Sequence, residues 1–172
     1  MKKAIAILLA ATLAGIAAPA AAQQARQQHE ISLFGSWDDV DEPADVEVFN
    51  LNLRYGYFVS PRLLGTASLS RSTFEGSGAD TKATTFLLGA KYYFSEPRAQ
   101  ALVPFVDGGV GFANVDPGPG GDSTDLSWEF GGGVALFITE RTSIDGALRL
   151  YNTDTDARTK GIRAFFGITT RF

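Results

Sequence analysis

The chain ends with Gly161-Ile162-Arg163-Ala164-Phe165-Phe166-Gly167-Ile168-Thr169-Thr170-Arg171-Phe172, and its residues sort by parity. Ile162, Ala164, Phe166, Ile168, Thr170 and Phe172 fall on one side. Arg163, Phe165, Gly167, Thr169 and Arg171 fall on the other. Side chains alternate across a strand with a period of two, so this is a two-faced strand with an apolar face and a cation-bearing face. The apolar face ends on an aromatic ring.

Seven earlier segments repeat the pattern, near 29–37, 46–58, 63–74, 83–94, 103–114, 126–138 and 142–151, with the last strand at 160–172. Three connections read as short: Ser60-Pro61-Arg62, Ser95-Glu96-Pro97-Arg98 with its neighbours, and Thr139-Glu140-Arg141. Four read as longer and polar, between Asp38 and Asp45, Glu75 and Lys82, Val115 and Asp125, and Asn152 and Thr159. One face of each segment is apolar, as in Phe49, Leu51, Leu53, Tyr55 and Tyr57, or Phe86, Leu88, Ala90, Tyr92 and Phe94. The interleaved positions hold most of the Asn, Ser, Thr and charged residues. Apolar-out and polar-in strands, with short turns at one end and longer loops at the other, describe an eight-stranded antiparallel up-and-down transmembrane β-barrel, an all-β fold. A soluble β-sandwich would suit the composition but gives no reason to sort connections by end.

Lys2 and Lys3, the apolar run from Ala4 to Ala18, and Ala20-Ala21-Ala22 before Gln23 have the three parts of a cleavable secretory signal. The domain reading is therefore a signal over 1–22 and a barrel over 23–172. A retained anchor is the alternative, and Pro19 and the short Ala-rich core argue against it. No other run reaches the ~18 apolar residues of a membrane helix, so a membrane-embedded remainder has to close as a barrel to pair its backbone. The net charge of −4 becomes more acidic once Lys2 and Lys3 leave, which offers no electrostatic footprint for nucleic acid. With no cysteine, disulfides, thiol catalysis and cysteine metal sites are excluded together.

Aromatic positions fall in two groups. Tyr55, Tyr57, Tyr92, Phe94 and Phe172 lie at the turn end, expected to be periplasmic, and Trp37, Phe49, Phe112 and Trp128 at the other. That is the pair of girdles expected at the two membrane interfaces.

The inward charges are Glu30, Arg54, Lys91, Asp107, Glu129, Asp145, Arg149, Arg163 and Arg171. Counting across turns sets Lys91 opposite Asp107, Glu30 near Arg54, and Glu129 level with Arg149 and Arg163. An eight-stranded barrel is barely wide enough for its own side chains, so both signs at matched depth suggest a salt-bridged lumen. The rival is a narrow channel or a binding barrel for small solutes. Gly109, Gly111, Gly131 and Gly133 leave room on one wall, either for such a cavity or for long arginines such as Arg54 from the opposite wall. Neither glycine string opens a helix after a strand, so neither is a phosphate loop.

Catalysis finds little support. The lone histidine, His29, opens the first strand at the turn end, and a base must lie within hydrogen-bond reach of its nucleophile. Neither a catalytic residue nor a cofactor is expected. Asp38, Asp39, Asp41, Glu42 and Asp45, and Asp116, Asp122 and Asp125, make two loops acidic. Hard divalent cations prefer such ligands, so weak binding at these loops is one reading and a solvated loop that resists aggregation is the other; the spacing of a specific calcium loop is absent.

Tyr92-Tyr93-Phe94, Pro104-Phe105-Val106-Asp107-Gly108-Gly109-Val110-Gly111-Phe112 and Ile162–Phe172 carry a resemblance that covers nearly all of His29–Phe172. The chain resembles the small outer-membrane β-barrel family of OmpA/OmpX-like proteins, including porin-family and opacity-like barrels. The resemblance implies an integral outer-membrane location in a Gram-negative cell, reached through the periplasm. It also implies contact with outer-membrane lipid and lipopolysaccharide, and insertion by the barrel-assembly machinery, which reads a terminal signal matched by Phe166, Ile168 and Phe172. Lipid A deacylases and palmitoyltransferases of this shape use a His with a Ser near the outer leaflet, and His29 lies at the wrong end. The functional expectation is a non-enzymatic membrane anchor with a surface-interaction role, and the alternative is the narrow channel.

Overall fold

The computed structural model describes residues 29–40, 46–75, 81–96, 99–116, 123–153 and 159–172. The signal segment 1–22 lies outside them, as do the acidic loop residues Asp41, Glu42, Asp45 and Asp122. Eight strands run in order: β1 (His29–Val40), β2 (Val46–Phe58), β3 (Leu63–Glu75), β4 (Thr81–Tyr93), β5 (Leu102–Asp116), β6 (Ser123–Phe137), β7 (Thr142–Thr153) and β8 (Thr159–Arg171). Each pairs antiparallel with the next, and β8 returns to β1 to close a barrel. Closure leaves no sheet edge at the turn end, where the His29 amide donates to the Phe172 carbonyl at 3.1 Å and the Phe172 amide to the His29 carbonyl at 3.0 Å. The β1·β8 ladder is partial: it runs from Glu30↔Arg171 to Gly35↔Phe166, although both strands continue towards the loop end.

The parity of the sequence sets the facing. Lipid-side Leu53, Leu88, Val110, Leu148 and Phe166 are exposed, while their neighbours Asn52, Leu87, Gly109, Arg149 and Phe165 point into the barrel or against it. Two turns are fixed by hydroxyls. The Thr139 Oγ1 accepts from the Arg141 and Thr142 amides at 3.1 and 2.9 Å, and the Ser60 Oγ accepts from the Leu63 amide at 3.2 Å. Such side chains stand in for a backbone turn bond.

The connection lengths differ from the sequence expectation. The turn-side connections are 59–62, 94–101 and 138–141, and the second is longer than any loop-side connection (41–45, 76–80, 117–122 and 154–158). The asymmetry lies instead in the strands, which continue past the apolar band on the loop side, as β5 does to Asp116 and β7 to Thr153. Backbone pairing persists there although the apolar alternation that marks a strand in sequence has stopped.

The interior is less polar than its sequence suggests. Phe34, Leu64, Tyr93, Val103, Phe105, Ala135, Phe137, Ala147 and Phe165 form a buried cluster inside the barrel. Tyr93 belongs to it and not to the girdle; its neighbours Tyr92 and Phe94 face out and pack edge to face at 5.5 Å. A second aromatic group lies outside, where His29 stacks on Phe172 at 5.5 Å and meets the edge of Tyr57 at 5.4 Å.

The inward glycines do not serve a distant arginine. A Cβ at Gly111 would fall on the Phe86 carbonyl of the adjacent strand, and one at Gly133 on the Gly146 carbonyl. At Gly131 the nearest side chain is Arg149, its own register partner on β7. These glycines let neighbouring backbones close up in a narrow, strongly curved wall. Gly111→Ala is therefore expected to cost about 1–3 kcal/mol. Gly65→Ala, where a Cβ meets nothing within 4 Å, should be near neutral. Urea unfolding in lipid vesicles would compare them, and equal effects would refute the close-approach argument.

Candidate functional site

The inward charges form two clusters, one above the other. The cluster nearer the turns centres on Lys91, whose Nζ lies 3.0 Å from Glu30 Oε1 and 3.4 Å from Asp145 Oδ2. Glu30 also accepts from Arg171 Nε at 3.1 Å and from the Tyr93 hydroxyl at 2.9 Å. Asp145 accepts from the Ser143 hydroxyl at 2.5 Å and the Thr169 hydroxyl at 2.8 Å. Rings complete the cage. The ammonium of Lys91 sits 4.5 Å from the centroids of both Tyr93 and Phe105. The Arg171 guanidinium lies 4.6–4.9 Å from Phe58, Tyr93 and Phe137. Two cations face two carboxylates, and each cation has an aromatic face to replace lost hydration.

Towards the loops, Asp107 is the hub. Arg149 grips it with two donors, Nε at 3.3 Å and Nη2 at 2.8 Å, and Arg54 Nη1 pairs with the same carboxylate. Arg54 Nη2 reaches Glu129 at 2.7 Å, and Arg149 Nη1 lies 3.8 Å from Glu129. Phe34 and Phe165 hold the Arg149 guanidinium at 4.8 and 4.6 Å. This cluster too has two cations and two carboxylates. Forked guanidinium contacts of this kind are the stronger class of ion pair. Arg163, the register partner of Arg149, stacks on Tyr151 at 4.6 Å.

The inward charges of the sequence therefore meet, but with different partners. Lys91 and Asp107 are register neighbours, yet each side chain turns to the opposite wall. Arg54 stands opposite Ser32, not Glu30, and Glu30 serves the other cluster. Adjacent residues on a wall point in parallel, whereas a lumen this narrow lets a long side chain reach across. Sequence reasoning missed the aromatic cage; inward parity at Phe34, Tyr93, Phe105 and Phe165 was the available signal. The cages predict coupling. Lys91→Met and Asp145→Asn are expected to be non-additive by about 0.5–3 kcal/mol, to be read from a double-mutant cycle of urea midpoints; strict additivity would separate the two residues energetically.

His29 is half-buried at the turn end, its Nδ1 2.7 Å from the Tyr55 hydroxyl. Among the described residues no group of three or more His, Asp or Glu converges as a metal site. Loop residues Asp41, Glu42, Asp45 and Asp122 lie outside them, and Asp125 accepts from the Ser123 hydroxyl at 3.0 Å.

A closed eight-stranded antiparallel barrel with an apolar outer band, two aromatic girdles and a charge-filled lumen is an outer-membrane β-barrel. The family model described as outer membrane protein beta-barrel domain matches residues 6–169, and the chain belongs to that family. No curated protein sequence matches it significantly. Among solved structures it is similar to the N-terminal β-barrel domain of Pseudomonas aeruginosa OprF (TM-score 0.60, 20% identity, 87% of this chain and 100% of that one). It is similar to Neisserial surface protein A (TM-score 0.58, 18% identity, 84% and 95%). The outer membrane enzyme PagL is a further likeness (TM-score 0.55, 14% identity, 83% and 99%). At these identities the likenesses establish the fold alone.

Proposed function

We propose that the protein is a non-enzymatic outer-membrane anchor with a closed lumen, and that its external loops are its contact surface. The observation carrying this reading is that the two charge clusters are each balanced and each bridge the lumen between opposite walls. Solute passing along the axis would have to break both. The contacts of His29, Tyr55 and Phe172, all at the turn end, offer no serine nucleophile. In this reading the chain is exported through the periplasm, and the exposed Phe166, Ile168 and Phe172 are what the assembly machinery reads.

The test is conductance of the refolded protein in a planar bilayer. The wild type should show no steady current. A steady single-channel current from the wild type would put the narrow channel first.

A further inference from the structure

The seam between β1 and β8 pairs from Glu30↔Arg171 to Gly35↔Phe166 and then stops, while β1 runs on to Val40 and β8 begins at Thr159. On their other sides both strands stay paired: β1 with β2 as far as Val40↔Val46, and β8 with β7 as far as Thr153↔Thr159. The strands are intact at the loop end; only the ladder between them is missing. His29 and Phe172 exchange both of their amide bonds, and such pairs recur at every second residue of an antiparallel ladder. Counting up from them, the seam-facing N–H and C=O groups above Gly35 belong to Trp37 and Asp39 on β1 and to Ala164 and Ile162 on β8. Among the described residues none of these groups has a partner across the seam.

The side chains flanking the opening are also short of partners. Ser36, the first β1 residue past the ladder, stands beside its register partner Asn50 on the inner face. Ser36 Oγ and Asn50 Oδ1 are both buried without a hydrogen-bond partner. The Asn50 amide is held by a 2.7 Å bond from Nδ2 to Ser72 Oγ on β3, which turns Oδ1 away from β3. A buried acceptor without a donor is costly. On the outer face, Phe166 and Ile162 are the most exposed large apolar side chains among the described residues, at 70% and 69%. Gly35 stands opposite Phe166 and offers it no side chain, and a Cβ there would meet only the Asn50 carbonyl at 3.9 Å. The opening therefore starts inside the apolar band, where a free backbone group has no water to bond.

We propose that the open edge of β1, from Ser36 to Val40, is a docking site for an extended peptide segment of a partner protein, added antiparallel as a strand. Such a segment carries donors and acceptors at the strand repeat, which is what the edge presents; the phosphate and ester groups of lipids offer acceptors only. Residues of the added strand that bond Trp37 and Asp39 point outward, on the apolar side that Phe166 and Ile162 occupy. The residue facing Ser36 points inward, where a hydrogen-bond donor reaches Ser36 Oγ and Asn50 Oδ1. The edge therefore selects an alternating segment, apolar outward and donor inward. This surface is additional to the loops, and pairing along it does not depend on whether the lumen conducts.

The probe is a fluorescent synthetic peptide copying residues 159–166, the stretch that a continued ladder would set against β1. It is titrated into the chain refolded in neutral detergent and read by anisotropy, and it should bind saturably. N-methylation at the positions of Ile162 and Ala164 removes the two donors aimed at β1 and should weaken binding about thirtyfold, the scale of two hydrogen bonds. Methylation at Arg163 and Phe165, whose amides point away from β1, should cost about threefold or less. Phe165→Gln in the peptide puts a donor opposite Ser36 and should strengthen binding about fivefold. The protein has no cysteine, so Ser36→Cys with Phe165→Cys gives a single disulfide that closes the seam; oxidation should abolish binding and reduction restore it. Equal losses from the two methylated peptides would overturn the proposal by showing partition into detergent. Binding unchanged by the closed disulfide, or no saturable binding to the wild type, would also overturn it. Weaker binding of the Phe165→Gln peptide would overturn the inward donor. A concentration-dependent dimer that excludes the peptide would assign the edge to a second copy of the chain instead.

Discussion

Asp107→Ala is expected to destabilise the barrel by about 3–5 kcal/mol, the usual consequence of removing one partner from a buried ionic cluster. Asp107 is the carboxylate shared by Arg54 and Arg149, and all three side chains are buried. Its loss leaves two guanidinium groups at one level with Glu129 alone between them. Glu129→Ala should cost less, because Asp107 would still hold both arginines and Glu129 is the more exposed acid, at 12% of its side chain against 2%. Urea titration of protein folded in phosphatidylcholine vesicles would rank them. The same Asp107 variant should leak current in a planar bilayer where the wild type does not. If Asp107→Ala changed neither stability nor current, the ionic closure of the lumen would be wrong.

Leu88→Arg is expected to cost about 2–4 kcal/mol, the range for a cation on the lipid face near mid-bilayer. Leu88 is 57% exposed, and its flanking register partners are Ala67 and Val110, apolar and outward like itself. Its exposure is to hydrocarbon, so a charge there has no water to meet. Asn114→Arg, also exposed but near the loop end of β5, should cost about 0–1 kcal/mol because it lies near the interface. The comparison uses the same vesicle titration. Equal effects at the two positions would contradict the placement of the membrane.

Much of the barrel was legible because its two physical constraints leave a local mark. Lipid requires every second residue to be apolar, so the β2 segment 46–58 could be bounded from Phe49, Leu51, Leu53, Tyr55 and Tyr57 alone. Where the chain leaves the bilayer that requirement lapses, and the strand ends at Val40, Asp116 and Thr153 were not visible. Tyr93 lies between the girdle residues Tyr92 and Phe94, and its parity places it inside; that it donates to Glu30 there was not visible in the sequence.

By itself the amino-acid sequence determined the strand number, the facing of each side chain and the set of inward charges. These follow from a period of two read along one segment at a time. Only the tertiary structure decided which charges share a cage, that Lys91 serves Glu30 and Asp145 and not its register neighbour Asp107, and that the wall glycines admit a neighbouring backbone. Those contacts join residues far apart in the chain. They depend on the lumen being narrow enough for an arginine or lysine to cross, a dimension fixed by closure of the whole barrel and by no single strand.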